Sequence, residues 1–176
     1  KMLFHLGDYE VHRAPEGFCS IRQKSSGEIM HSRTPPMEEA QRLYIEQSNL
    51  AERVRMEPQT DMDRTRTGGN AAESVRKIPS LSVADLSSRP LVIWDVGLGA
   101  ATNAMAAILC YEAHAAAGPV RPMRVISFEN DLDPLRLAFQ HNREFTYLRH
   151  SAIGGILGNG QWQSGSHAGL SWTLVQ

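Results

Sequence analysis

The stretch Leu91-Val92-Ile93-Trp94-Asp95-Val96-Gly97-Leu98-Gly99 decides the fold of this chain. An apolar run ends in an acid and two glycines, and an alanine-rich run from Ala100 to Ala117 follows. That order predicts a buried strand over 91–95, a tight turn, and a helix from about Ala101 to Ala117 that Gly118-Pro119 stops. Glu112 is the only charged residue in that helix, so the helix should be largely buried. In α/β folds, nucleotide-like cofactors bind outside the carboxyl end of such a strand. Glycines let a ligand approach the main chain, and a helix start offers unpaired N–H groups.

Downstream, the pattern repeats. Arg124-Val125-Ile126-Ser127-Phe128-Glu129 reads as a second strand ending in an acid. Asp131 and Asp133-Pro134 then open a second helix through Leu135, Leu137, Ala138 and Phe139. Its last turn, His141-Asn142-Arg143, suits the negative end of the dipole. A β-α-β-α unit predicts an α/β fold with a parallel sheet and helices over both faces. Ile156-Leu157 continues this half. Gly158-Asn159-Gly160 reads as a turn, and 161–163 and 169–175 as one or two further strands.

Upstream, residues 2–31 alternate short apolar runs with turn signals at Gly7-Asp8, Pro15-Glu16-Gly17 and Ser26-Gly27, which reads as a β-meander. Pro35-Pro36 and the acids Glu38 and Glu39 mark a helix start. Met37, Ala40, Leu43, Tyr44, Leu50, Ala51 and Val54 form its apolar face, and Ile45 falls off it. Gln47-Ser48-Asn49 interrupts the pattern, so one helix or two shorter ones fit equally. The expected organisation is residues 1–54 packing on the core, 55–90 as a linker or loop, and 91–176 as the cofactor-binding core.

The 176 residues suffice for one domain with a sizeable core. A net charge of −1 gives no global sign of nucleic-acid binding. Arg53, Arg55, Arg64, Arg66, Arg76 and Lys77 stand among acids over 53–77, as a solvated loop or a contact to RNA phosphate. No apolar run approaches a membrane span, and no secretory signal is visible. Cys19 and Cys110 form no paired motif, and the seven histidines show no metal-ligand spacing. The expectation is a cytoplasmic protein without membrane or metal.

The spacing of the glycine turn bears on the cofactor. A dinucleotide fingerprint wants a small residue at its third position, where this chain has Thr102. The D-x-G-x-G form, with Asp95, Gly97 and Gly99, is typical of S-adenosyl-L-methionine (SAM) sites. Glu129 stands where the acid ending the second strand accepts hydrogen bonds from ribose hydroxyls.

On these residues the chain resembles the methyltransferase domain of the MnmC type, a Rossmann-like class I methyltransferase acting on the tRNA wobble uridine. Residues 95–103, Asp-Val-Gly-Leu-Gly-Ala-Ala-Thr-Asn, are similar to the family's D-V-G-F-G-T-G-x-N, with Ala101 at the usual third glycine and Asn103 at the matching asparagine. Phe128-Glu129 is similar to its S-F-E. Leu43 to Arg53 resembles V-F-L-E-G-N-D-L-x-E-R, with Gln47 and Ser48 where Gly-Asn is usual. The resemblance implies methyl transfer from SAM to the aminomethyl nitrogen of a modified wobble uridine (a step of tRNA processing), beside an oxidoreductase acting separately in the same pathway. It implies a cofactor site of Asp95, Gly97, Gly99, Asn103 and Glu129, with Glu46, Gln47 and Ser48 along its other side.

Two features depart from the family. A later strand ending in Asp-Pro-Phe/Tyr does not occur, since Asp133-Pro134 opens a helix, so no catalytic residue follows from the resemblance. The sheet also wants further strands, so the chain reads as the N-terminal two-thirds of the domain with the C-terminal part missing. The alternatives are an inactive or truncated SAM-binding scaffold, a methyltransferase with a protein or small-molecule acceptor, and an NAD-linked oxidoreductase, which Thr102 disfavours.

Overall fold

In the computed structural model, which describes residues 4–31, 33–55 and 89–176, the chain opens with a three-stranded antiparallel meander. Its strands are β1 (His5–Leu6), β2 (Tyr9–Arg13) and β3 (Cys19–Gln23). Glu10 and Arg22 face each other across β2 and β3 and form an ion pair. One bridge, Arg22 to Ile29, brings the chain back beside β3.

Helix α1 (Pro36–Ala40) starts at the proline with Glu38 and Glu39 in its first turn. It runs into a π-helical segment, Gln41–Glu46, and after a break at Asn49 into α2 (Leu50–Val54). The two-helix alternative is therefore the one adopted. The expected apolar face changes here. Leu43 and Tyr44 are exposed, while Ile45 is buried. The wider i→i+5 turn rotates Ile45 inward, which a strict 3.6-residue period cannot anticipate. The expected linker or loop over 55–90 falls almost entirely outside the described residues.

Strand β4 (Leu91–Val96) leads through the glycine turn to α3 (Thr102–Ala117), then β5 (Met123–Phe128) and α4 (Asp133–Gln140). A 3-10 turn (Thr146–Arg149), α5 (Ser151–Asn159), β6 (Gln161–Gln163) and β7 (Leu170–Val175) complete it. The sheet order is β4-β5-β7-β6; the first three strands are parallel and β6 is antiparallel to β7.

Two expectations are corrected. The sheet is mixed, because β6 folds straight back on β7. Among the described residues helices cover one face only. Leu91, Asp95, Met123, Val125, Ser127, Leu170 and Trp172 are buried, whereas Val92, Trp94 and Val96 are 42, 70 and 80% exposed. The strand order steps in one direction from β4 to β5 to β7, and right-handed crossovers then place every helix on the same side.

Helix α5 carried no helical expectation in the sequence. Its first turn is capped by His150, whose ring accepts the Ala152 N–H at 3.1 Å. Gly155 is glycine because a Cβ there would stand 2.7 Å from the Gln161 carbonyl as β6 turns back over the helix. One contiguous core joins Cys19 and Ile21 of the meander and Ala40, Leu50 and Val54 of the helices to α3 and the sheet. The N-terminal segment thus packs directly beside the glycine turn.

Candidate functional site

The turn after β4 is shaped by three consecutive demands on the backbone. Gly97, Gly99 and Ala101 all adopt positive φ, at 83°, 53° and 61°. Gly97 N–H still pairs with Phe128 O at 2.9 Å, extending the ladder by one bond. A Cβ on Gly97 would meet nothing within 4 Å, and one on Gly99 would meet only the thioether of Met30. The turn therefore leaves bare main chain beside open space, the form a phosphate-free nucleoside ligand can approach closely.

Glu129 follows β5 and reaches this turn. Its Oε2 accepts the Gly99 N–H at 3.1 Å, and its Oε1 accepts the N–H groups of Asn130 and Asp131 at 2.8 and 3.1 Å. Three backbone donors fix the carboxylate and leave it lone pairs for hydroxyl donors. Tyr9 of β2 flanks the same acids. Burial, followed by the charges of Asp131, Glu129 and Asp8, pushes its phenol above the ordinary tyrosine range, so it remains a donor.

Asp95 sits under the turn at the end of a buried chain of donors. Trp172 Nε1–H donates to Ser127 Oγ at 2.8 Å, and Ser127 in turn donates to Asp95 Oδ2 at 2.7 Å. Burial raises the Asp95 carboxyl, against the lowering effect of the Ser127 bond, and the Glu129 charge raises it further. From the opposite side Tyr147 latches the turn. Its hydroxyl donates to Ala100 O at 3.0 Å and lies 2.9 Å from Thr102 Oγ1. Burial holds this phenol far above its usual range.

Beside the turn, a cavity of about 300 Å³ opens along β4. Tyr44, Ser48, Arg53, Trp94, Asp95 and Asn103 help line it. Asn103 Oδ1 is buried and finds no hydrogen-bond partner among the described residues, so it is an acceptor waiting for a donor. The sequence-expected residues thus divide. Asp95, Asn103 and Ser48 share this cavity; Gly97, Gly99 and Glu129 meet at the strand ends. Glu46 and Gln47 are exposed on the segment before Ser48, whose hydroxyl caps the carbonyls of Tyr44 and Ile45 at 2.5 and 3.2 Å.

Tyr9, Ser127, Tyr147 and Trp172 did not stand out in the sequence as site residues. Each reaches the turn from another element, and a lone aromatic carries no spacing signal. Of the basic residues over 53–77, Arg53 lines the cavity and Arg55 bridges to Val120; those beyond residue 55 lie outside the described residues. Among the described residues no cluster of His, Cys, Asp and Glu could hold a metal, and no helix is long and apolar enough to cross a membrane.

Bare glycines at the end of the first parallel strand, an acid at the end of the second, and strand order β4-β5-β7 define a Rossmann-like α/β fold of the methyltransferase type, with a small antiparallel sheet at its N-terminus. The chain is similar in structure to MnmC2 from Aquifex aeolicus, with a TM-score of 0.54 and 16% sequence identity. The likeness covers 97% of this chain and 43% of that one, so this chain spans less than half the length of that protein. It is a distant likeness of fold. No family model matches the chain, and no curated protein does.

Proposed function

We propose that this chain is the SAM-binding part of a methyltransferase whose acceptor is the aminomethyl nitrogen of a modified tRNA wobble uridine. It would work in the cytoplasm beside a separate oxidoreductase of the same pathway. The observation that carries the cofactor reading is the bond from Gly99 N–H to Glu129 Oε2, which joins the two parts of a nucleoside site. The residues fit SAM. Glu129 would accept the ribose hydroxyls, and the open backbone at Gly97 and Gly99 would face the methionine end. Asp95 and Asn103 would offer acceptors to its ammonium group. SAM supplies an electrophilic methyl on a sulfonium. The protein's own task is to hold acceptor and methyl at near-attack distance and to keep the acceptor nitrogen neutral, since a free amine has a pKa of about 10.

The tRNA acceptor rests on the resemblance over Leu43–Arg53 and Asp95–Asn103 and on the MnmC2 likeness. Calorimetry with SAM and with NAD tests the cofactor. Binding of SAM with no response to NAD is expected, and the reverse would sink the reading. Replacing Glu129 by Ala should weaken SAM binding by roughly 1–3 kcal/mol, the cost of losing a charged hydrogen-bond partner. Labelled SAM with undermodified tRNA tests the acceptor. SAM binding without incorporation into tRNA or any other acceptor would leave a binding scaffold.

A further inference from the structure

The glycine turn is overhung by Met30, whose sulfur lies 3.3 Å from the point where a Cβ on Gly99 would stand. The next residue, His31, belongs to a polar cluster outside the site described above. Its Nδ1 is 3.1 Å from Glu39 Oε1, and Thr34 Oγ1 donates to Glu39 Oε2 at 3.1 Å. The His31 and Glu39 side chains are only 14% and 23% exposed. An ionised carboxylate can only accept, so Nδ1 carries the ring proton and Nε2 keeps its lone pair. The backbone is pinned as well, by a bond from His31 N–H to Ser20 Oγ at 3.2 Å. An imidazole oriented by a carboxylate, itself held by a hydroxyl, is the arrangement of a positioned general base.

We propose that His31 is the general base of the reaction, with Glu39 its positioning residue. The inference rests on the methyl-transfer reading above, with a cationic amine as acceptor. One N–H bond of the ammonium breaks, its electron pair stays on nitrogen, and the proton passes to Nε2 of His31. Glu39 then stabilises the imidazolium. A helix-start contact that served only to tie the loop to α1 would give the same Nδ1 bond, so the lone pair at Nε2 and what it faces are what must be tested.

The test is nitrogen-15 NMR of the intact chain with labelled histidine, at alkaline pH, with SAM and then with S-adenosylhomocysteine. The two ligands differ only in the charged methyl. Nε2 of His31 should be the unprotonated nitrogen, and its resonance should differ between the two complexes while those of His114 and His150 coincide. Glu39→Gln should abolish the single-tautomer signal. His31→Gln should lower the rate of methyl transfer to undermodified tRNA by 10²-fold or more, a general base's usual share, with SAM affinity held within about twofold. Both ligands binding with no difference at His31 would overturn this proposal alone. Failure of either ligand to bind would overturn the cofactor reading and this proposal with it.

Discussion

Ala101 is the residue at which the turn departs from its family pattern, and its φ of 61° explains why glycine is usual there. An alanine in the left-handed region gives up roughly 1–2 kcal/mol relative to ordinary backbone. Ala101→Gly removes that strain but also loses a buried methyl and adds unfolded-state freedom, each worth roughly 0.5–1 kcal/mol. The three effects nearly cancel, so urea denaturation should find a change within about 1 kcal/mol. Gly97→Ala is the opposite case. It introduces the left-handed strain, about 1–2 kcal/mol, and its Cβ points into the open space where a ligand would lie. The variant should fold and lose at least about tenfold in SAM affinity by calorimetry. Full affinity in a folded Gly97→Ala protein would move the cofactor away from the turn.

Asp95 carries a second residue-scale prediction, whose sign follows from its environment. Its carboxyl is raised above 3.8 chiefly by burial, so the folded state holds the proton more tightly than the unfolded state. The contribution is fully present below pH 3.8 and is lost as pH rises through the higher folded value. Asp95→Asn keeps an oxygen for the Ser127 hydroxyl and removes that loss. The stability difference between variant and parent, from denaturation at several pH values, should shift in favour of Asn between about pH 4 and neutrality. The expected size is on the order of 1 kcal/mol. A flat difference would mean that Asp95 is better solvated than its 8% exposure implies.

At the scale of elements, the parts that read clearly from sequence are those whose stability is local. β4, its turn and α3 combine an apolar run, paired glycines and a nearly uncharged alanine stretch, and the predicted limits fall within a residue of those observed. β5 and α4 follow for the same reason, with Pro134 at the helix start. α5 did not read as a helix, because Gly154 and Gly155 lower its propensity while tertiary contact with Trp162 and the Gln161 carbonyl demands Gly155. The π-helical segment was hidden because its period is not 3.6. At the site, Gly97, Gly99 and Glu129 were legible from their place at strand ends. The Tyr147 latch was not, since it joins residues 45 and 47 positions apart. That latch predicts that Tyr147→Phe costs about 1–2 kcal/mol by leaving Ala100 O without its donor. It should also speed hydrogen exchange of the amides from Gly99 to Asn103. Unchanged exchange there would show that the turn is held by its own backbone.

For the whole molecule, the one-sided sheet separates two faces that the sequence presents alike. Val96 and Val125 are both valines in parallel strands with apolar neighbours, yet one is 80% exposed and the other 1%. Trp94 leans on Phe128 with ring centroids 5.5 Å apart, but 70% of it meets solvent; Trp172, on the covered face, is fully buried against Ser127. Val96→Lys should therefore change stability by less than about 0.5 kcal/mol, as exposed substitutions do. Val125→Lys should unfold the chain or cost several kcal/mol, because it buries an unpaired charge. Acrylamide should quench the Trp94 fraction of the emission and spare Trp172, a split that Trp94→Phe makes assignable. The open β4 edge bears Asp95 as its only charge and is a site for edge-to-edge association, so Val96→Lys should also raise the concentration at which light scattering first increases. Equal costs for the two valine substitutions, or a Trp94 inaccessible to acrylamide, would mean that the Val92-Trp94-Val96 face is covered in solution and that the sheet has two buried sides.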